Sequence, residues 1–188
     1  AQISYYKAAL TQLKPGIQMH NVPGNHDVDD APSNGSYAIW KANFGTSGTD
    51  NPWYSFTYGN NLFICLDSML LKNPTNMPTK YTEQMNWLTS TLQNAGGYDN
   101  IMVFMHIPMC MTSTTEADGS NNMPLGTGNG IRKQLLDLFH QYNVRAVFSG
   151  HAHNNAYVRD GDLELITTSS CLCSLGSPVT EQGFRVVK

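Results

Sequence analysis

Three polar residues that could take part in catalysis lie side by side early in the chain. Asn25, His26 and Asp27 follow a Pro-Gly turn signal, so they open a loop after the extended stretch 17–22. An amide, an imidazole and a carboxylate in a row could simply cap turns. They could also be a metal ligand, a proton donor and the group that orients the donor. The other histidines of the chain help to decide between these interpretations.

Four of the six histidines follow segments that are predicted to be strands. One comes after the stretch 17–22, one after the apolar run 101–105 and two after the apolar run 144–148: His26, His106, His151 and His153. Each alone has an ordinary explanation as a turn residue or a hydrogen-bonded core histidine. Together they would need three coincidences at equivalent strand ends. Because neighbouring strands of an open α/β sheet bring their carboxyl ends together, these positions predict one site.

The donor atoms at these strand ends are typical of a transition-metal centre. Imidazole nitrogens and an amide oxygen suit Zn, Mn or Fe(II), and the spacing of His151 and His153 lets adjacent imidazoles reach two ions. We expect Gly150 to allow the close backbone approach that such a site needs. Cys171 and Cys173 could also hold a soft metal, but no second Cys-rich element completes that site. We therefore expect the cysteines to be small buried or half-buried side chains rather than a disulfide framework.

Composition excludes other classes of function. The chain has 188 residues, 40% of them hydrophobic, which is enough for one sizeable core. Its net charge is −3, with 11 Lys and Arg and no basic run, so no nucleic-acid partner is expected. The apolar run 101–111 is too short to span a membrane. Low charge with abundant Asn, Thr and Ser favours an extracytoplasmic protein, and the lack of an initiator Met indicates a processed product or an excised piece.

Hydrophobic periodicity predicts an α/β domain. Apolar stripes predict helices over residues 3–13, 82–92 and 131–142. Apolar runs, two pairs of which flank hairpin turn signals, predict strands over residues 17–22, 53–58, 62–66, 101–105, 144–148, 157–159, 163–167 and 184–187. Residues 110–130 have no periodicity and follow His106, so we expect a functional or mobile insertion that overhangs the site, with a flexible hinge at 126–130.

The motifs at the predicted strand ends resemble those of the calcineurin-like metallophosphoesterase superfamily. They are Gly24-Asn25-His26-Asp27, His106 before Ile-Pro, and Gly150-His151-Ala152-His153, and they occur in the family's order. The sequences of segments 53–56, 83–88 and 183–187 resemble those of one branch of the superfamily. This branch contains purple-acid-phosphatase-like proteins. The resemblance covers essentially the whole chain. It implies a four-layer α/β/β/α sandwich that hydrolyses phosphoesters with two divalent or trivalent transition-metal ions (Mn, Fe or Zn).

The resemblance also implies a role for each motif residue. The metal ligands would be Asn25, His106 and His151 for the second ion and His153 for the first. His26 would donate a proton to the leaving group, and Asp27 would hold its ring. The substrate would be a phosphoester, and the sequence leaves phosphoproteins, phosphomonoesters and phosphodiesters as alternatives.

Part of the family's pattern is not found before Asn25. The family carries an Asp-x-His motif and a Gly-Asp-x-x-Asp motif there, and a carboxylate of the second motif bridges the two ions. The Gly-Asp at residues 161–162 follows a hairpin turn far downstream. We therefore expect residues 1–188 to be the C-terminal part of a single catalytic domain, without its N-terminal strands and with an uncovered sheet edge and apolar surface.

Two other functions are alternatives. A non-catalytic module could keep the fold for binding or regulation, and the missing motifs favour this alternative for the chain by itself. A serine-dependent esterase is disfavoured, because there is no Gly-x-Ser-x-Gly elbow and Ser149 has no second partner motif. By itself the chain is expected to bind at most one ion, weakly, and to hydrolyse phosphoesters negligibly.

Overall fold

Six strands of the described chain form one mixed sheet. The fold is that of a computed structural model, which describes residues 2–45, 51–117, 124–126, 130–171 and 183–187. The strands are β1 (Tyr54–Tyr58), β2 (Asn61–Cys65), β3 (Asn100–Phe104), β4 (Ala146–Ser149), β5 (Ala156–Asp160) and β6 (Leu163–Thr167). Their order across the sheet is β1-β2-β3-β4-β6-β5. The four inner strands run parallel and the two edge strands pair antiparallel, so the inner strands end on the same side of the sheet.

Helices precede β1 and also lie between β2 and β3 and between β3 and β4. They are α1 (Gln2–Leu10), α2 (Asn25–Val28), α3 (Asn34–Phe44), α4 (Ser68–Lys72), α5 (Pro78–Gln93) and α6 (Ile131–Gln141). Within the described ranges, no helix combines the length and the apolar character that a membrane crossing requires.

Buried and more exposed residues alternate along the strands, so one face of the sheet is buried. Ile64, Val103 and Val147 of three neighbouring strands are almost completely buried. They share one core with Leu88 of α5 and Phe139 of α6. The period-2 pattern therefore places every second strand residue under the helices, and the expected α/β class is confirmed.

The opposite face of the sheet carries a row of stacked rings. Phe56 stacks on Phe63 with 4.9 Å between ring centroids, and Phe104 stacks on Phe148 at 5.1 Å. His20 extends the row, 3.5 Å from Phe56. These rings are half-buried. That absent strands leave a sheet edge and apolar surface uncovered stays a prediction. In a four-layer sandwich, a sheet face of this kind packs against a second sheet.

Most predicted elements are confirmed, but two predicted strands are wrong. Both hairpins, the strands near 101–105 and 144–148 and all three predicted helices are present. Residues 17–22 and 184–187 are irregular instead. A strand needs a neighbour for its backbone groups. Here the stretch around Asn21 is held by side chains: the Tyr54 hydroxyl donates to the Asn21 carbonyl (3.0 Å), and the Asn21 amide donates to the Phe44 carbonyl (3.2 Å).

Hydrogen bonds hold the described parts of the segment 110–130 in place. The Glu116 carboxylate accepts hydrogen bonds from the backbone N–H groups of Met111 (2.7 Å) and Thr112 (2.8 Å). Arg132 of α6 donates to the carbonyls of Leu125 (2.8 Å) and Glu116 (2.6 Å). These contacts organise the start and the end of the segment. Residues 118–123 and 127–129, which include most of the predicted hinge, lie outside the described residues.

A buried carboxylate fixes the start of α4. Asp67 is fully buried: one oxygen accepts from two N–H groups of α4 (2.9 and 3.1 Å), and the other accepts from the Tyr37 hydroxyl. Burial raises the pKa of Asp67 to about 6, while its hydrogen bonds act in the opposite direction. The hydroxyl of the next residue, Ser68, accepts from the backbone N–H of Ile107 (2.8 Å). The cap therefore also holds the loop that follows β3.

Tyr37→Phe should lower the free energy of unfolding by about 1–3 kcal/mol, because it leaves an Asp67 oxygen buried without its donor. Urea unfolding of the variant and of the unchanged chain measures this loss. Tyr58→Phe is the matched control: Tyr58 is 79% exposed, and we expect its change to remain within about 0.5 kcal/mol. Equal unfolding midpoints for the two variants would contradict the role given to Tyr37.

Candidate metal centre

Side chains from three parts of the chain converge beyond the carboxyl ends of β3 and β4. Nε2 of His106 lies 3.1 Å from Oδ1 of Asn25 and 3.0 Å from Nδ1 of His151. The two imidazole rings are inclined at 70°, with centroids 4.9 Å apart. All three side chains are partly buried. The structure thus brings together the three residues that the sequence interpretation assigns to one ion.

Backbone pairing positions the two histidines. Beyond the paired strands, the Met105 N–H donates to the Phe148 carbonyl (3.0 Å), and the Gly150 N–H donates to the His106 carbonyl (3.1 Å). The hydrogen-bonded ladder therefore continues past the strand ends. As a result, His106 and His151 are held next to each other by main-chain hydrogen bonds.

Each of the three converging atoms can offer a lone pair, since the tautomer of a neutral imidazole decides which ring nitrogen carries the proton. Oδ1 of Asn25 can only accept hydrogen bonds, and one proton on Nε2 of His106 cannot fully satisfy both of its neighbours. At separations of 3.1 and 3.0 Å, the atoms of each pair are close enough together to contact one ion. In the described part of the chain no three His, Cys, Asp or Glu side chains form a group that could hold a metal ion. The nitrogen and oxygen atoms fit Zn, Mn or Fe.

Burial keeps the two imidazoles neutral. Burial, together with the charges of His151, His26 and His153, lowers the pKa of His106 to about 4. Burial also lowers the pKa of His151, and the charge of Lys72 at the end of α4 adds to this effect. A histidine must be deprotonated to bind a metal ion. Both rings are therefore in the form that coordination requires at neutral pH.

Backbone strain is concentrated around the cluster. Asp29, His151 and His153 have φ values of 69°, 62° and 54°, in the left-handed region. Among the non-glycine residues that the structure describes, the remaining positive φ is at Asn143, after α6. Such conformations cost about 1–3 kcal/mol each and are typical of functional sites.

Gly24 allows the close approach that the site needs. A Cβ atom at Gly24 would lie 2.9 Å from Cε1 and Nδ1 of His106, which is too close for any side chain. The expectation for Gly150 is wrong, because a Cβ atom there would meet nothing within 4 Å. The contact at Gly24 joins residues far apart in sequence, so the Pro-Gly pair alone predicts a turn and not this packing.

The other predicted site residues lie around the cluster. His26 and Asp27 are exposed, and Oδ2 of Asp27 accepts a hydrogen bond from the Gly24 N–H (2.9 Å). His26 and His153 are near enough to His106 for their charges to lower its pKa. Their roles as proton donor, orienting group and ligand of the first ion stay predictions.

Other polar candidates have structural partners. Both oxygens of Asp67 accept hydrogen bonds, as described above, and Asp162 is exposed and paired with Arg159 at 3.5 Å. The Ser149 hydroxyl shares a hydrogen bond with Thr167 (3.2 Å), which gives a serine esterase no support.

Three of the four cysteines lie in the described part of the chain. Cys65 and Cys110 are buried, as expected, and burial raises the pKa of both thiols. Cys171 is exposed, contrary to expectation. Cys173 lies outside the described residues.

Comparison with known proteins identifies the family. The family model described as calcineurin-like phosphoesterase matches residues 2–155. The chain belongs to this family. The resemblance inferred from the histidine motifs is confirmed, and a metal-dependent site is typical of calcineurin-like phosphoesterases.

Individual relatives extend this finding. The chain is 33% identical over 180 residues to the serine/threonine-protein phosphatase CPPED1 of Bos taurus, a match that covers 95% of the chain and 54% of that protein. The chain thus spans about half the length of the curated relatives it matches. A dimetal phosphatase from Danio rerio has a TM-score of 0.58 at 16% identity, covering 80% of this chain and 60% of that chain. The purple acid phosphatase PPD1 from yellow lupin has a TM-score of 0.60 at 17% identity, covering 85% and 29%. At such identities these structures show the calcineurin-like phosphoesterase fold alone.

Gly24→Ala should weaken the binding of Zn²⁺ or Mn²⁺ at least about tenfold, because the new methyl group displaces the His106 ring from its neighbours. Calorimetric titration measures the affinity, and circular dichroism checks that the variant folds. Gly150→Ala is the matched control, since the same methyl group meets open space there. Unchanged metal binding in folded Gly24→Ala protein would show that the position of His106 does not control the site.

Proposed function

We propose that the protein in its full length hydrolyses phosphoesters in a metal-dependent reaction. Membership of the calcineurin-like phosphoesterase family supports this function, as do the phosphatase names of its relatives. The observation that carries the proposal is the convergence of Asn25 and His151 on Nε2 of His106. Three atoms with lone pairs at this spacing, two of them on neutral imidazoles, favour a bound cation.

The metal ligands are part of the proposal. Asn25, His106 and His151 would hold one ion, and His153 would contribute to a second. When bound, Mn, Fe or Zn ions activate water and neutralise the charge that develops on the phosphoryl oxygens. The remaining ligands, including a bridging carboxylate, would come from a part of the catalytic domain upstream of residues 1–188.

His26 would protonate the oxygen of the leaving group. It is exposed, directly follows Asn25 and lies within electrostatic reach of His106. Asp27 would orient the His26 ring with one carboxylate oxygen while the other keeps its hydrogen bond to Gly24. General-acid assistance of this kind is worth about 10²–10⁴-fold in rate.

The names of the relatives indicate a class of substrate. The name of the bovine relative describes a serine/threonine-protein phosphatase. We therefore propose a phosphoprotein as one substrate of the full-length protein.

In the full-length protein, His26→Ala should lower kcat for esters with poor leaving groups by about 10²–10⁴-fold and leave the metal content nearly unchanged. Asp27→Asn should show a smaller loss of the same kind. Steady-state kinetics with metal analysis measures both effects.

The matched control is His140→Ala, which removes a histidine paired with Asp160 at 2.9 Å beside the start of β6, whereas the cluster lies beyond the strand ends. It should leave kcat unaltered. Loss of metal in His26→Ala would mean that His26 is a ligand. No metal-dependent turnover by the unchanged protein would favour a non-catalytic binding or regulatory module.

A further inference from the structure

A cavity of about 380 Å³ lies beside the proposed proton donor. His26 and Asp27 line it, and apolar or aromatic side chains of α1 and α3 form most of its walls: Ile3, Tyr6, Ile39, Trp40 and Phe44. Its volume is within the range of small-ligand pockets, about 300–1,000 Å³. His106 is not among the lining residues, so the cavity is distinct from the metal cluster. The two are joined by α2, which carries both Asn25 and His26.

The walls of this cavity are held in place by their own contacts. The Tyr6 hydroxyl donates to Oδ1 of Asn21 (2.6 Å), and the Asn21 amide donates to the Phe44 carbonyl (3.2 Å). The Tyr6 and Phe44 rings meet edge to face, 5.4 Å apart. Within the wall, the polar side chains of Tyr6 and Asn21 therefore already have hydrogen-bond partners. The cavity therefore offers a ligand an apolar wall beside the polar groups of His26 and Asp27.

The charges around the cavity exclude a phosphate group. Among the described residues that line it there is no Lys or Arg, and Asp27 contributes a carboxylate. A phosphate dianion would be repelled by this carboxylate, which no neighbouring guanidinium or ammonium group in the described lining offsets. The carboxylate does not repel an uncharged apolar group. Such a group is stabilised when it is buried against the apolar wall.

We propose that this cavity binds an uncharged aromatic or large aliphatic group on the leaving-group side of the phosphoester. This inference rests on the proposed function, since it takes His26 as the residue nearest to the departing oxygen. Two kinds of substrate carry such a group. One is an aryl group esterified directly to the phosphate, and the other is an aromatic side chain next to a phosphorylated residue of a protein.

Substitutions at two exposed isoleucines test the proposal in the full-length protein. Ile39 lines the cavity and is 60% exposed, whereas Ile17 does not line it and is 54% exposed. Ile39→Trp narrows the cavity without disturbing the core, and Ile17→Trp makes the same change elsewhere. The substrates are 4-nitrophenyl phosphate, a phosphothreonine peptide with a neighbouring Phe, and the same peptide with Ala in place of that Phe.

Ile39→Trp should lower kcat/KM about tenfold for at least one of the two aromatic substrates and leave the Ala peptide within about twofold, as expected for a lost apolar contact. A loss confined to 4-nitrophenyl phosphate identifies an aryl ester, and a loss confined to the Phe peptide identifies the neighbouring side chain. Ile17→Trp should change none of the three. Equal losses on all three substrates, or no loss on any, would overturn the proposal.

A binding measurement separates this proposal from the proposed function. Phenylphosphonate should shift the indole NMR resonance of Trp40, methylphosphonate should not, and Ile39→Trp should weaken the shift. These compounds are not hydrolysed, so the result does not depend on turnover. Binding without turnover of any phosphoester would contradict the hydrolytic function but support the cavity as an apolar binding site. Turnover with no effect of phenylphosphonate on Trp40, as when another segment fills the cavity, would overturn the proposal.

Discussion

The parallel pairing of β3 with β4 is the constraint on which the rest of the site depends. It places His106 and His151 side by side at two neighbouring strand ends, and the turn at Gly24 then brings Asn25 against the same imidazole. Converging lone pairs, partly buried rings and left-handed histidines are each unfavourable in isolation. A cation bound to Oδ1 of Asn25, Nε2 of His106 and Nδ1 of His151 would offset these costs, because the free energy of metal binding adds to the free energy of folding.

The surrounding fold holds this cluster in place. The buried pair of Tyr37 and Asp67 fixes the start of α4, and Ser68 in α4 bonds the backbone directly after His106. The sheet is helix-covered on one face, while the other face presents stacked rings such as Phe104 and Phe148. The site is therefore supported by one helix layer and one sheet of an expected four-layer sandwich.

The chemistry of the site can be predicted from the sequence better than its packing. Apolar runs such as 101–105 mark inner parallel strands, and since such strands end together, the histidines after them can be placed in one site. The close contact of Gly24 with His106 has no local signal, because it joins residues far apart in the chain. Residues 17–22 have the composition of a strand, but in the described chain their contacts are ring stacking and side-chain hydrogen bonds. The helix α3 could have been found from the reciprocal Ser33–Ser36 cap, although its Asn and Gly residues obscure the apolar stripe.

The measurement that tests the central claim most directly is a metal titration of the 188-residue chain itself, followed by calorimetry and by the NMR resonances of its histidines. With Zn²⁺ or Mn²⁺ we expect at most one ion per chain, bound weakly, because three neutral ligands leave its charge without a carboxylate. The ion should shift the NMR resonances of His106 and His151 together. It should not bind to the His106→Ala variant. Two tightly held ions per chain, or binding that leaves both histidines unperturbed, would contradict this account.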